Sequence, residues 1–369
     1  MPHSYRRCLC RALLVLACFV SVLPAAHGAK LEQLPALNID IRETSVSGLS
    51  SGAFMSVQFQ VVYSSIVKGA GIVAGGPFYC SQGNPLRATT QCSCTLDPEH
   101  ELCAVSSSSA NVSSLVGDTH QFAAQGLIDD PVNLSHQRVL VLAGDKDRTV
   151  PPMVAEQLSD YYSHMAVPAS NRSDVRLSRA AHTMPTVSYG KACDVAESPY
   201  LGKCHYDAAK AVLSWIYGTL KKPQQAQADN HLLQFDQAAY VPGGRFTWSS
   251  GMDNSGWAYI PDSCAKGEAC RLHVVLHGCR QGQGYLPLRP MPGSGLYYGT
   301  TFVRNAGYNR WAESNHIVVL YPQAVSIPGI NPNGCWDWWG YTGEDFATNQ
   351  GVQLKAIRGM VNRLSSGHH

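Results

Sequence analysis

Three side-chain types that together make an acyl-transfer relay recur along this chain: a serine between glycines, an aspartate behind an apolar run, and a histidine behind a short strand. The serine lies in Gly48-Leu49-Ser50-Ser51-Gly52, a G-x-S-x-G pentapeptide. Ile39, Ile41, Thr44 and Val46 upstream are β-formers with polar residues between them. Downstream, Phe54, Val57, Val61, Val62 and Ile66 recur near helical spacing, which predicts an amphipathic helix over Ala53–Val67. A glycine-rich surface turn would carry the same five letters without those flanks. Strand, pentapeptide and helix together describe a strained turn that lifts the Ser50 hydroxyl clear of a sheet.

A serine hydroxyl is a weak nucleophile until a base takes its proton and an acid orients that base. The apolar run Arg138–Ala143 ends in Gly144-Asp145-Lys146-Asp147-Arg148-Thr149-Val150-Pro151, so both Asp145 and Asp147 fall on the loop above the carboxyl edge of a sheet. Asp145 is nearer the strand end, where an aspartate also caps turns. Among fourteen histidines, His182 stands out because Ala180-Ala181-His182-Thr183-Met184-Pro185 follows a short strand. The order serine, acid, histidine is that of α/β-hydrolases.

Acyl transfer places negative charge on the carbonyl oxygen, and backbone N–H groups aimed at it supply several kcal/mol. One donor is expected from the residue after the nucleophile, Ser51. The second normally comes from an HG-containing turn before the nucleophile, and none precedes Ser50. Instead His277-Gly278-Cys279-Arg280-Gln281 follows the strand LHVVL, more than 200 residues later. For Cys279 to serve, that strand must lie beside the serine's strand. The chain is then circularly permuted.

The elements that position these residues alternate between strand and helix. Strands are expected at Gly69–Gly76, Arg138–Ala143, Val175–Leu177, Leu232–Trp248, Trp257–Pro261, Leu272–Leu276 and Ile317–Tyr321. Helices are expected at Leu115–Ile128, Val154–Met165, Asp207–Leu220, Val303–Ser314 and Ala347–Leu364. Strands alternating with helices predict a mainly parallel central sheet flanked by helices. The polar stretch Lys221–Asn230 resembles a linker, yet the halves it separates hold different parts of one site. A single intertwined domain over 29–366, with its seam near 221–230, is the consistent organisation.

The 369 residues are 45% hydrophobic and 15% charged, as in a globular chain. Residues 1–28 have the layout of a signal peptide: Arg6, Arg7 and Arg11, the apolar run Ala12–Leu23, then Ala26-His27-Gly28. Without those arginines, 25 basic residues stand against 26 acidic ones, with no basic run suited to nucleic acid. No later segment reaches the apolar length of a transmembrane helix. Ten cysteines follow residue 28, an even number that in an exported chain predicts up to five disulfides. Cys193–Cys204 and Cys264–Cys270 are expected as local loops, and the cluster Cys80–Cys103 pairs largely within itself. Cys92-Ser93-Cys94 lacks a second ligand pair at metal spacing, so neither metal nor cofactor is expected. Asn111, Asn133 and Asn171 head N-x-S/T sequons, relevant only in a eukaryotic secretory pathway.

Taken together, GLSSGAFM (Gly48–Met55), VAGGPFYC (Val73–Cys80), AGDKDRTVPP (Ala143–Pro152), AAHTMPT (Ala180–Thr186), LHGCRQG (Leu276–Gly282), LYPQA (Leu320–Ala324) and GCWDWWG (Gly334–Gly340) resemble the polyhydroxybutyrate depolymerases with a circularly permuted α/β-hydrolase domain. The resemblance implies Ser50 as nucleophile, Asp147 rather than Asp145 as acid, His182 as base, and Ser51 and Cys279 as oxyanion donors. It implies a substrate that is a polyester of short hydroxyalkanoates or an oligomer of one. Many extracellular members add a separate substrate-binding domain, for which this chain leaves no length. Polymer is therefore expected to adsorb on the catalytic domain, or the substrate to be a soluble oligomer. Trp336, Trp338 and Trp339 are candidates to grip it, with Cys335 tethered to Cys279; burial of two of the three indoles in the core is the competing expectation. Two rival readings are a feruloyl- or acetyl-type carboxylesterase, in which the HGC turn is expected before the nucleophile, and an inactive hydrolase-like binding protein, against which the intact serine, aspartate and histidine argue.

Overall fold

Local chemistry explains the first turn of the fold. Strand β1 (Ile39–Leu49) runs straight into helix α1 (Ser51–Val62) through Ser50, which sits at φ +57. The two glycines allow it. A Cβ on Gly48 would collide with the Gly52 carbonyl, and a Cβ on Gly52 would collide with the carbonyl oxygens of Leu276 and His277. The second clash matters most, because it shows the elbow pressed against the end of a strand from the other half of the chain.

The computed structural model describes residues 31–223, 231–244, 247–288 and 295–368. The leader 1–28 and most of the seam, 224–230, lie outside the described residues. After α1 come β2 (Val67–Val73), α2 (Pro85–Thr90), α3 (Val112–Ala124), β3 (Arg138–Gly144), α4 (Pro152–His164) and β4 (Arg172–Leu177). Three short strands follow, β5 (Met184–Thr186), β6 (Lys191–Ala192) and β7 (Leu201–Lys203), then α5 (Ala208–Tyr217). The C-terminal half holds β8 (Leu232–Asp236), β9 (Ser255–Tyr259), α6 (Asp262–Ala265), β10 (Cys270–Leu276), α7 (Thr301–Asn305), α8 (Asn309–Ala312), β11 (Ile317–Tyr321) and α9 (Val352–Leu364).

An eight-stranded sheet has the order β4-β3-β2-β1-β10-β11-β9-β8. Its neighbours from β4 to β11 are parallel, and β9 and β8 join antiparallel. Strand β1 is thus flanked by β2 from its own half and β10 from the far half, with Gly48 opposite Leu276. This is the permuted α/β-hydrolase order. The short strands form a separate parallel sheet, β5-β7-β6, that periodicity did not reveal. Five disulfides join Cys80–Cys92, Cys94–Cys103, Cys193–Cys204, Cys264–Cys270 and Cys279–Cys335.

Several expectations change. Helix α1 is not amphipathic: all twelve of its residues are buried, so it is a core helix packed on the central strands β1, β2 and β10. The expected strand 232–248 stops at Asp236, because the Gln237 side chain donates to the Asp253 and Gln323 carbonyls and accepts from the Gln323 amide. The expected helix 303–314 breaks into α7 and α8 at Gly307, which adopts φ +99.

The two serines in the C-terminal half of β1 do not face water. Ser45 and Ser47 are buried and pair with the two ring nitrogens of His273 at 2.6 and 2.8 Å. Tyr217 and Tyr308 extend the network through those hydroxyls. Burial without a charged partner pushes His273 down to about 3, so the ring is neutral. Both faces of the central strands are therefore covered, as a parallel sheet requires.

Candidate active site

Strands β1, β3, β4 and β10 are parallel members of one sheet, so the loops after them emerge at one edge. Those loops carry Ser50, Asp147, His182 and the turn 277–281 respectively. The elbow holds Ser50 by its own backbone: its N–H donates to Val73 O at 3.0 Å, and its carbonyl accepts the Ala53 and Phe54 amides. The Ser51 amide opens α1, where N–H groups have no intrahelical acceptor and the helix dipole favours negative charge.

His182 Nδ1 lies 2.7 Å from Asp147 Oδ2, and both side chains are buried. The other carboxylate oxygen, Oδ1, accepts the Thr149 and Val150 amides at 2.9 and 2.8 Å. These bonds fix the carboxylate, which fixes Nδ1 as the protonated nitrogen and leaves Nε2 as the acceptor. Asp145, the competing acid, instead forms a surface ion pair with Arg176 at 2.7 Å. The loop bearing His182 is secured by an Ala181 N–H to Cys193 O bond, next to the Cys193–Cys204 disulfide.

The turn after β10 abuts the elbow: a Cβ built on Gly278 would stand 3.4 Å from Ser50 Cβ. His277 is buried beneath it. Its Nε2 accepts the Ala324 amide at 3.0 Å, so its Nδ1–H donates to Gly278 O at 2.7 Å. Desolvation lowers His277 to about 4, which keeps the ring neutral and both bonds intact. The Gly278 amide donates to Gln281 Oε1, whose Nε2 donates to Pro199 O. With the Gly278 carbonyl held from one side, the Cys279 peptide has a fixed orientation.

Ser50, Ser51, His182, Gly278 and Cys279 line one cavity of about 630 Å³. The three tryptophans divide. Trp338 and Trp339 line the cavity, and Trp338 stacks on Phe54 with centroids 4.1 Å apart. Trp336 does not: it is fully buried, packed against His277 with centroids 5.4 Å apart, and so supports the turn from below rather than meeting a ligand. Sequence reasoning did not single out Phe54, Tyr200, Arg280, Asn333 or the loop 94–103 as lining residues. Arg280 lies within the quoted motif Leu276–Gly282 but was given no role there, whereas nothing in the pattern around Tyr200 or Asn333 marks them. The unassigned cysteine-rich stretch now has a place. Its Thr95, Leu96, Asp97 and His100 wall the cavity, and its Cys94 amide donates to Thr149 O, two residues after Asp147.

Among the described residues, no cluster of acidic, cysteine or histidine side chains has metal-holding geometry, and no helix is long and apolar enough to cross a membrane.

No protein-family model matches the chain. Individual relatives do. A poly(3-hydroxybutyrate) depolymerase from Delftia acidovorans is 40% identical over 338 residues, 90% of this chain but 62% of that protein, so the chain spans less than two thirds of its length. A polyhydroxybutyrate depolymerase from Talaromyces funiculosus is 36% identical over 349 residues, covering 90% of this chain and 93% of that one. Two solved structures superpose with 33% identity over 91% of this chain and all of theirs. One is a serine-to-alanine variant of a PHB depolymerase complexed with an R3HB trimer, at TM-score 0.78. The other is the PHB depolymerase from Penicillium funiculosum, at TM-score 0.77. With the permuted sheet, the elbow and this similarity across nearly the full length of a relative, the chain belongs to the polyhydroxybutyrate depolymerase family.

Proposed function

We propose that the protein is an exported serine esterase that hydrolyses ester bonds of poly(3-hydroxybutyrate), or of related short-chain polyhydroxyalkanoates and their oligomers. The observation that carries this reading is the convergence of Ser50, His182 and the Cys279 turn on one cavity, with Asp147 locked behind His182 at 2.7 Å.

In this mechanism His182 Nε2 takes the Ser50 proton as Oγ attacks the ester carbonyl. Charge develops on the carbonyl oxygen, where the Ser51 and Cys279 amides receive it. Collapse releases the alcohol end of the substrate, protonated by His182, and leaves an acyl-serine. Water, deprotonated by the same nitrogen, then frees the hydroxyacid. Asp147 holds the ring and stabilises the imidazolium between the two proton transfers. The apolar faces of Trp338 and Trp339 suit a methyl-bearing polyester backbone. No cofactor enters the scheme.

Five disulfides among the described residues support export through the leader at 1–28. One catalytic domain spanning 29–366 accounts for the site, since its parts come from both sides of the seam.

The test is Ser50→Ala. It is expected to lower turnover of p-nitrophenyl butyrate and of amorphous polymer granules by about 10⁴-fold or more, with an unchanged circular dichroism spectrum. A variant that clears granules at a rate near wild type would end this assignment.

A further inference from the structure

The cavity holds a cation that the mechanism above leaves unused. Arg280 follows Cys279 in the turn and lines the same cavity as Ser50. Its backbone sits at φ +64, a region that costs an ordinary side chain about 1–2 kcal/mol and that glycine or asparagine enters more readily. Yet the residue is clamped there three times. Its amide donates to Asn333 O at 2.7 Å, its Nε to Asn333 Oδ1 at 3.0 Å, and its Nη1 to the Tyr200 hydroxyl at 3.2 Å. Tyr200 and Asn333 are lining residues too. Among the described residues every one of these partners is neutral, so the solvent-exposed guanidinium is oriented by hydrogen bonds and has no carboxylate partner. The acid that also lines the cavity, Asp97, has its carboxylate on the Glu101 and Leu102 amides.

A guanidinium has five N–H donors, and two are spent here. The remainder, on Nη1 and Nη2, form the fork that carboxylates fit. A polyester of hydroxyacids is neutral along its length and carries one anionic group, the carboxylate at its acid end. In any such chain that end lies on the alcohol side of every ester. Each hydrolysis also makes a new one.

We propose that Arg280 is a carboxylate subsite, binding the free acid end of a hydroxyalkanoate oligomer on the leaving-group side of the scissile ester. It favours short acids over neutral chains and directs cleavage toward the acid terminus. This rests on the esterase reading above and names its substrate class more closely.

The test compares kcat/KM for the trimer of 3-hydroxybutyrate as free acid and as methyl ester, with p-nitrophenyl butyrate as a third substrate. At low salt the wild type is expected to favour the acid at least about fivefold, and less so as salt rises. Arg280→Gln should bring the acid-to-ester ratio to about one, and Arg280→Lys should retain part of the preference. Equal rates on acid and ester by the wild type, or a preference that survives in Arg280→Gln, would overturn the proposal. So would a Gln variant slowed equally on all three substrates, since Arg280 would then only brace the turn. A wild type inactive on all three would instead bring down the esterase reading, and this one with it.

Discussion

Two walls of the cavity are each closed by cysteines, and they are held in opposite ways. The first joins the turn at Cys279 to the loop 334–342 through the Cys279–Cys335 disulfide. At its centre the buried Asp337 carboxylate accepts the Trp339, Gly340, Tyr341 and Thr342 amides and the Thr342 hydroxyl. Its backbone is tied to α9 by Gln353 and to α1 by Gln58. The second wall, 80–103, is stapled by Cys80–Cys92 and Cys94–Cys103 but leaves Leu86, Leu96 and Leu102 roughly half exposed. Asp97 organises it from the surface, through amides of its own loop. Like chemistry therefore serves two ends. Where a carboxylate and its donors are buried, the backbone of the loop bridged to the Cys279 turn is fixed. Where they are exposed, only the local loop is shaped, and apolar side chains stay free to meet a ligand.

Breaking each staple should expose the difference most strongly. The Cys279–Cys335 bridge spans 56 residues and Cys94–Cys103 spans 9. The chain-entropy relation then assigns them about 4 and about 2.5 kcal/mol. The double variant Cys279→Ser/Cys335→Ser should lose about that larger amount in urea unfolding and most of its p-nitrophenyl butyrate activity, because it frees the Cys279 peptide. Cys94→Ser/Cys103→Ser should lose less stability and keep most of that activity. A reversed order in either measurement would break the comparison.

What could be read from the sequence follows the same division. The elbow was legible because its glycines are demanded by steric contact at fixed offsets from Ser50. Local disulfides such as Cys264–Cys270 were legible because short loops leave few partners. Asp147 and Asp145 were not separable by position alone; Arg176, which takes Asp145 to the surface, comes from the neighbouring strand. The burial of Ser45 and Ser47 was hidden because the histidine that satisfies them lies on β10, 226 or more residues away. The lining residues Tyr200, Arg280 and Asn333 come from three loops, so no periodicity could group them. Which tryptophans are buried, Trp336 and Trp338, was not legible because a tryptophan-rich loop has one composition whether its rings face the core or the cavity.

Acid should act through the histidines buried in the sheet and beneath the Cys279 turn. His273 and His277 are held at about 3 and about 4 by burial, against about 6.5 in an unfolded chain. Below pH 6.5 the unfolded state binds protons that the folded state refuses, so stability is full above that pH and falls as pH drops toward those lower values. At pH 5 each histidine costs on the order of 2 kcal/mol relative to neutral pH. Burial raises the carboxyls of Asp253 and Asp337, so the folded state takes up their protons more readily than the unfolded one, and this partly offsets the loss at lower pH. Urea midpoints should therefore fall from pH 7 to pH 5, with a shallower decline in His277→Gln. A variant with the same slope as wild type would remove His277 from the account.

The smallest effect should come from the exposed wall, and it is the sharpest test of the division. Leu96 lines the cavity with 46% of its surface exposed. Little of its burial is at stake in the free protein, so Leu96→Ala should change unfolding free energy by about 0.5 kcal/mol or less. Covering the exposed half with a polyester chain contributes about 1 kcal/mol. The variant should therefore raise KM for a hydroxybutyrate trimer about fivefold, with kcat nearly unchanged and p-nitrophenyl acetate, too short to reach the rim, affected less. The discriminating outcome is the ratio between the two substrates. If Leu96→Ala slows both equally, the loop 94–103 acts through Thr149 on the acid's position, and the exposed wall is as much a part of the catalytic frame as the buried one.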